Sequence, residues 1–317
     1  MSLALEHPVS AELVAVLAAV TDGVPRVLTT ECATALPAGP FQLLHRSLQS
    51  GLRSWVEAQT HHPLGYVEQL YTFADRDRRD QSDGGRNIIS VSYLGLTREA
   101  GYTGVEQVGW QDWYRYFPWE ERREGPPALI DEHIVPALTA WASNAGDDAI
   151  LARQRRQRVA VTFGLDGHEW NEELVLQRYE LLFEAGLVAE AHRKDGVHGG
   201  SPALLIPGES MQYDHRRILA TGIARLRAKI KYRPVVFELM PPEFTLLQLQ
   251  HAVEALAGRR LHKQNFRRQI EQQALVEETG GVITGTPGRP AKLFRFRGDV
   301  LLERAISGSK LPLSREM

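Results

Sequence analysis

The chain has 317 residues, more than one hydrophobic core usually organises, and two or three folded units are expected. Its net charge of -2 excludes a global attraction to nucleic acid, so any such attraction has to come from a local patch. One cysteine, Cys32, excludes an internal disulfide framework and a multi-cysteine zinc site, and it fits a reducing, cytoplasmic setting.

Residues 1–23 are weakly apolar but lack a basic start and carry Glu6 and Glu12, which argues against a signal peptide. No run of about 18 apolar residues occurs, so no membrane span is expected. "ELVAVLAAV" (12–20) and "PRVLTT" (25–30) flank the turn "TDG" and read as a strand pair. A loop with two prolines follows. A helix is then expected over about 47–60, with Leu44, Leu48, Leu52, Trp55 and Val56 at amphipathic spacing. "YVEQLYTF" (66–73) and "NIISVSYLGLT" (87–97) read as a second strand pair around the charged loop "ADRDRRDQSDGGR".

From 120 to 208 the pattern turns mostly helical, as an insertion or small domain. "PPALIDEHIVPALTAWAS", "DAILARQRRQRVAVTF" and "NEELVLQRYELLFEAG" are its helices, the last with Asn171 as cap and Gly186 as stop. "LVAEAHRKDGVHGGSPALLIPG" reads as a hairpin. "DHRRILATGIARLRAKI" (214–230) is a further helix. After the break "KYRPVVFELMPP", "FTLLQLQHAVEALAG" places Thr245 and Gln248 in capping-box spacing and ends at Gly258. "RLHKQNFRRQIEQQALV" follows after a short turn, and then the Gly-rich hairpin "VEETGGVITGTPGRPAKLFRFR". The tail after Arg297 has little to bury.

Two helices joined by a short turn and followed by a two-stranded wing make a winged helix-turn-helix. From Arg259 to Arg295 there are eight Lys/Arg against three Glu, a local excess of five positive charges. Such a surface gains affinity for DNA by displacing counterions from phosphates. Lys263, Gln264, Arg267 and Arg268 fall in the first half of the second helix, the part that enters a major groove. Arg reads guanine bidentately and Gln reads adenine, while Asn265 caps or contacts a phosphate. In the wing, Arg289 suits a minor groove or phosphate and Lys292 the DNA backbone. Phe266 and Ile270 are assigned to the core. Protein contact is the competing use of such a unit.

The stretch Gly39 to His61 keeps the spacing of a Nudix box, which needs Gly, five residues, Glu, seven residues, then Arg-Glu-apolar-any-Glu-Glu-any-Gly-apolar. Gly39, Arg53, Trp55 and Glu57 match. His45, Ser54, Ala58 and Thr60 stand where the box has Glu, Glu, Glu and Gly. Nudix hydrolases hold magnesium on clustered carboxylates, and one glutamate holds such an ion poorly. No hydrolysis and no metal are therefore expected, and Arg53 and Glu57 are assigned to holding the loop–helix fold.

"GYVEQLYTFADRDR", "ISVSYLGL", "DHRRILATGIARLRAKIKYRPVVFELMPPEFTLLQLQ" and "LHKQNFRRQIEQQALVEETG…GRPAKLFRF" resemble Nudix-related transcriptional regulators of NAD metabolism. The resemblance covers about 1–119 and 209–297, and the insertion is similar to that of the larger NadQ branch rather than the NrtR branch. It implies an α+β chain: a Nudix-like α/β/α sandwich (1–119 and 209–230), a helical insertion (120–208), a winged helix (231–297) and a tail (298–317). It further implies a homodimeric repressor of NAD-biosynthesis genes on double-stranded operator DNA. That repressor would have no cofactor but a nucleotide effector that releases the DNA: NAD and/or ATP as in the NadQ branch, with ADP-ribose the effector of the NrtR branch. An active pyrophosphohydrolase of ADP-ribose or NAD is the alternative.

Other features carry less. Asp75, Asp77 and Asp80 fail the calcium-loop pattern, so that loop reads as solvated, although Arg76, Arg78 and Arg86 suit a nucleotide phosphate. Of Tyr71 and Phe73, one should face the core and the other could stack on an adenine, with Phe73 assigned to the effector. The aromatic run "WQDWYRYFPWEERR" reads as core or dimer contact, with a base-stacking wall as the sharper alternative.

Overall fold

The computed structural model describes residues 9–42, 45–61, 64–74, 87–99, 107–195, 205–283 and 290–298. The charged loop with Asp75, Asp77 and Asp80, together with Arg76, Arg78, Arg86 and Arg289, lies outside these residues.

Strand β1 (Val9–Thr21) is the centre of a six-stranded sheet. Its run from Leu13 to Ala19 is fully buried, because an apolar strand without alternation can only sit where both faces are covered. It pairs antiparallel with β2 (Val24–Thr29), as the sequence predicts. Asp22 and Gly23, both at positive φ, form the two-residue turn that matches the right-handed twist of a hairpin. The short β3 (Ala38–Pro40) lies antiparallel along the start of β1. β4 (Tyr66–Phe73) and β5 (Asn87–Leu96) form the second expected pair, and β5 lies parallel to β1. β6 (Gly109–Asp112) closes the far edge on β2.

Alternate residues of β1 feed two layers. Leu13, Ala15 and Leu17 pack with Leu52 and Val56 of helix α1 (Leu48–Thr60). Val14, Val16 and Ala18 share a core with helix α5 (His215–Tyr232) and with helix α6 (Leu246–Ala257). A Cβ on Gly222 of α5 would lie 2.8 Å from a Val16 methyl, so the glycine sets how closely that helix approaches the sheet. This is the α/β/α sandwich.

The described residues of 120–195 and 205–208 share this core. Helices α2 (Val135–Ser143), α3 (Ala149–Phe163) and α4 (Val175–Glu184) form as expected, with a π-helical turn at Ile130–Ile134 leading into α2. Val175, Tyr179 and Leu182 of α4 join the same cluster as Ile218 and Leu226 of α5. Two expectations need correction. Asn171 accepts from the Glu173 amide in a turn, and α4 begins only at Val175. Ala189–Asp195, expected in a hairpin, is a 3-10 helix. That turn delivers Glu190 to buried Arg216, 3.1 Å away, and to the Met211 amide.

The last unit contains α6, helix α7 (Lys263–Gln272) and the antiparallel pair β7 (Val276–Ile283) and β8 (Ala291–Phe296). The Thr245–Gln248 capping box forms, and Gly258 ends α6 at φ 71°. An isolated bridge between Phe244 and Phe294, with Phe237 stacked on Phe296 at 4.3 Å, ties the wing to the start of the unit.

Candidate nucleic-acid interface and degenerate Nudix helix

Helix α7 buries Phe266 and rests Ile270 against the core, which fixes its orientation. Lys263, Gln264, Asn265, Arg267 and Arg268 are all exposed. Residues three and four apart share a helix face, so Lys263, Gln264, Arg267 and Arg268 form one outward surface. Among the described residues, no ion pair engages Lys263, Arg267 or Arg268, and Arg268 donates to Asn265 Oδ1 at 3.4 Å.

The other cations of this unit are differently placed. Lys292 Nζ lies 2.8 Å from Glu278, and Arg295 Nε 2.6 Å from Glu277, across the wing. Arg260 pairs with Glu124 and Glu254, and Arg259 with Glu172 at 3.4 Å. Among the described residues, the unpaired positive charge of this stretch is thus on α7. Lys292, assigned to the DNA backbone from sequence, stands exposed on β8 but already neutralised.

A buried ionic cluster joins this unit to the rest. Glu120 accepts from Arg178 Nε of α4 at 2.5 Å and from Arg227 Nη1 of α5 at 2.5 Å. Arg227 Nε also donates to the Leu256 carbonyl at the end of α6, and the Tyr114 hydroxyl to the Ala255 carbonyl. The last carbonyls of a helix need such donors. A Cβ on Gly258 would collide with the Glu120 carbonyl oxygen, so the end of α6 abuts the cluster directly. Burial pushes the Glu120 carboxyl up, but the two guanidiniums outweigh it and hold the group below its ordinary range. The Trp170 ring lies between the Arg178 and Arg122 guanidiniums, at 3.8 and 4.0 Å. Nothing local in the sequence marks this cluster, because its members come from three distant segments.

On α1 the box residues fall into two groups. Gly39 on β3 faces the Trp55 ring, which a Cβ at this position would strike, and Trp55 Nε1 donates to the Pro40 carbonyl. Arg53 donates to the Leu64 carbonyl and, at 2.9 Å, to that of Gly65, fastening the loop into β4. These contacts tie the neighbouring loops to α1. Glu57 takes no part in this, contrary to its assignment, because it is exposed beside exposed Ser54 and Ala58. Ser54 bonds back to the Ser50 carbonyl, and His45 Nδ1 accepts from the Gln42 amide. Among the described residues, no three His, Cys, Asp or Glu side chains gather where a metal ion could sit.

The effector assignment of Phe73 changes. Phe73 is 4 % exposed and its ring lies under the Arg217 guanidinium at 4.8 Å, so its face is taken. Tyr71, two residues earlier on the same strand, is 61 % exposed. Trp113, Tyr114, Tyr116, Phe117 and Trp119 of the aromatic run are buried core residues.

The geometry defines a class: a Nudix-like sandwich carrying a winged helix at its C-terminal end. Its fold matches Shewanella oneidensis NrtR complexed with a 27mer DNA, at 21 % identity and a TM-score of 0.53, over 92 % of this chain and 94 % of that one. It also matches a MutT/nudix family protein from Enterococcus faecalis, at 15 % identity and a TM-score of 0.50, over 94 % and 90 % of the two chains. Residues 236–296 match the family model described as the NrtR DNA-binding winged helix domain. An "ADPR responsive transcriptional repressor NtrR" from Acinetobacter baylyi is 41 % identical over 87 residues, which are 27 % of this chain. The match spans only about a third (34 %) of that curated relative's length. The chain thus shares the fold of NrtR and of a MutT/nudix family protein, and its residues 236–296 match the NrtR winged-helix family model.

Proposed function

We propose that the protein is a cytoplasmic, homodimeric transcriptional repressor of NAD-biosynthesis genes. Its winged helix binds operator DNA, and its Nudix-like domain binds a nucleotide effector that releases the DNA. The observation that carries this reading is the outward face of α7, where Lys263, Arg267 and Arg268 stand exposed with no ion pair among the described residues, while Arg259, Arg260, Lys292 and Arg295 are paired. The family match over residues 236–296 and the role of the Acinetobacter relative as a repressor support it. Dimerisation follows from the way a symmetric protein reads two half-sites.

The effector class is a nucleotide such as ADP-ribose, NAD or ATP. Arg76, Arg78 and Arg86 are the candidates for its phosphates, and exposed Tyr71 replaces Phe73 as the candidate stacking ring. The domain binds rather than cleaves, since Ser54 and Ala58 supply no ligand for a hard cation beside Glu57. Effector binding has to favour the arrangement that cannot hold DNA, with a coupling of about 1–3 kcal/mol.

The test is a gel shift on the promoter of an NAD-biosynthesis operon, with and without ADP-ribose, NAD and ATP. A shift reversed by one of them is expected. No shift there, with a shift on an unrelated promoter, would refute the NAD link and keep the regulator. Magnesium-dependent turnover of ADP-ribose or NAD would refute the non-enzymatic reading.

A further inference from the structure

A cavity of about 670 Å³ lies between the end of α5 and the inner side of the winged helix. Its volume is in the range of about 300–1,000 Å³ that small-molecule sites occupy. Ile230, Val236, Phe237, Val253, Phe266 and Ile270 form its apolar part, beside charged and amide side chains.

The charge around it is one-sided. Arg227, Lys231, Arg233 and Arg259 line it, against the single carboxylate of Glu172. Arg227 is committed to Glu120, and Glu172 is shared by Lys231 at 3.0 Å and Arg259 at 3.4 Å. Arg233 is exposed, and no ion pair engages it among the described residues. Gln269 and Gln273 of α7 add polar groups to the lining. A cavity that is apolar on one part and carries surplus guanidinium charge and two amides on another suits a ligand with a flat apolar body and an anionic group.

We propose that this cavity is a binding site for an aromatic organic anion of mononucleotide size, separate from the effector site of the Nudix-like domain. Its ring lies among Phe237, Val253 and Ile270, and its anionic group meets Arg233 and Arg259. Phe266 and Ile270, which line the cavity, are also the side chains that anchor α7. An occupant therefore acts on the seating of the recognition helix. That consequence for DNA rests on the function proposed above; occupancy does not.

Binding is measured on the full chain without DNA, so its failure is separable from failure of the repressor reading. Two probes are used: the fluorescent N-methylanthraniloyl ester of AMP, and 8-anilino-1-naphthalenesulfonate. Saturable binding is expected, weakened at least tenfold by Arg233→Ala with Arg259→Ala. Both arginines are exposed, so the double variant should keep the fold. Val253→Phe, which fills the chamber from the apolar side, should weaken it as well. Binding of both probes supports the general class. Binding of the nucleotide alone, or of the sulfonate alone, that both variants weaken supports the site and narrows its ligand. No saturable binding of either, or binding unmoved by both variants, overturns the proposal, since the second result places the ligand elsewhere.

Discussion

Helices α1 and α7 are built alike and used differently. Each buries a narrow apolar stripe, Leu52 and Val56 in one and Phe266 with Ile270 in the other. Each turns the opposite face to solvent. On α1 that face carries Ser54, Glu57 and Ala58, one carboxylate where a magnesium site needs several. On α7 it carries three cations and two amides, with no ion pair to the cations among the described residues. Packing therefore preserves a helix whether or not its outer face does chemistry. What distinguishes the two is the supply of unpaired charge on the exposed side.

The strongest way to break this comparison is at α7. Arg267→Ala with Arg268→Ala should cost about 2–6 kcal/mol of operator affinity, from about 1–3 kcal/mol per base-reading contact. Thermal melting and nucleotide binding should be unchanged, and unchanged DNA affinity would remove the helix from the interface. On α1 the sensitive position is one that packs. Gly39→Ala drives a Cβ into the Trp55 ring and should destabilise the fold by about 1–3 kcal/mol, read as a lower melting temperature.

Smaller effects sharpen the contrast. Lys292→Ala removes a cation already held by Glu278, so DNA affinity should change by less than about 1 kcal/mol. Glu57→Gln, on an exposed helix face, should leave stability within about 0.5 kcal/mol and magnesium response unchanged. A magnesium-dependent change in melting that disappears in this variant would show that the α1 face still holds a metal.

The junction between the two regions has its own signature. Because the folded-state pKa of Glu120 lies below its ordinary value, its contribution is fully present above the unfolded value near about 4.3. It is lost as pH falls through the lower folded value, since the unfolded chain takes up the proton first. Melting temperature should therefore fall below about pH 4, and Glu120→Gln should flatten that part of the pH profile.

The sequence made local features legible and left distant ones hidden. The β1–β2 turn, the Thr245–Gln248 box and the wing are written in neighbouring residues, and all three form. The parallel pairing of β1 with β5, the three-residue β3 and the edge strand β6 depend on contacts far along the chain. The 3-10 turn at Ala189–Asp195 is fixed by Arg216, 26 residues beyond Glu190, and no local pattern announces it. The same holds for the candidate site. The basic residues of α7 could be read directly, whereas the neutralisation of Lys292 and Arg295 required the register of β7 against β8. Strict alternation would put Tyr71 and Phe73 on one strand face, but the register shift between Gln69 and Thr72 breaks it, leaving Phe73 buried beneath Arg217 and Tyr71 exposed.

The most direct test of the central claim is the salt dependence of operator binding, measured by fluorescence anisotropy for the wild type and for Arg267→Ala with Arg268→Ala. Log affinity should fall linearly with log salt in the wild type. In the variant the slope should shrink by about one for each lost phosphate contact, together with the loss of promoter preference. Equal slopes and equal affinities in the two proteins would contradict the assignment of α7 as the DNA-reading surface.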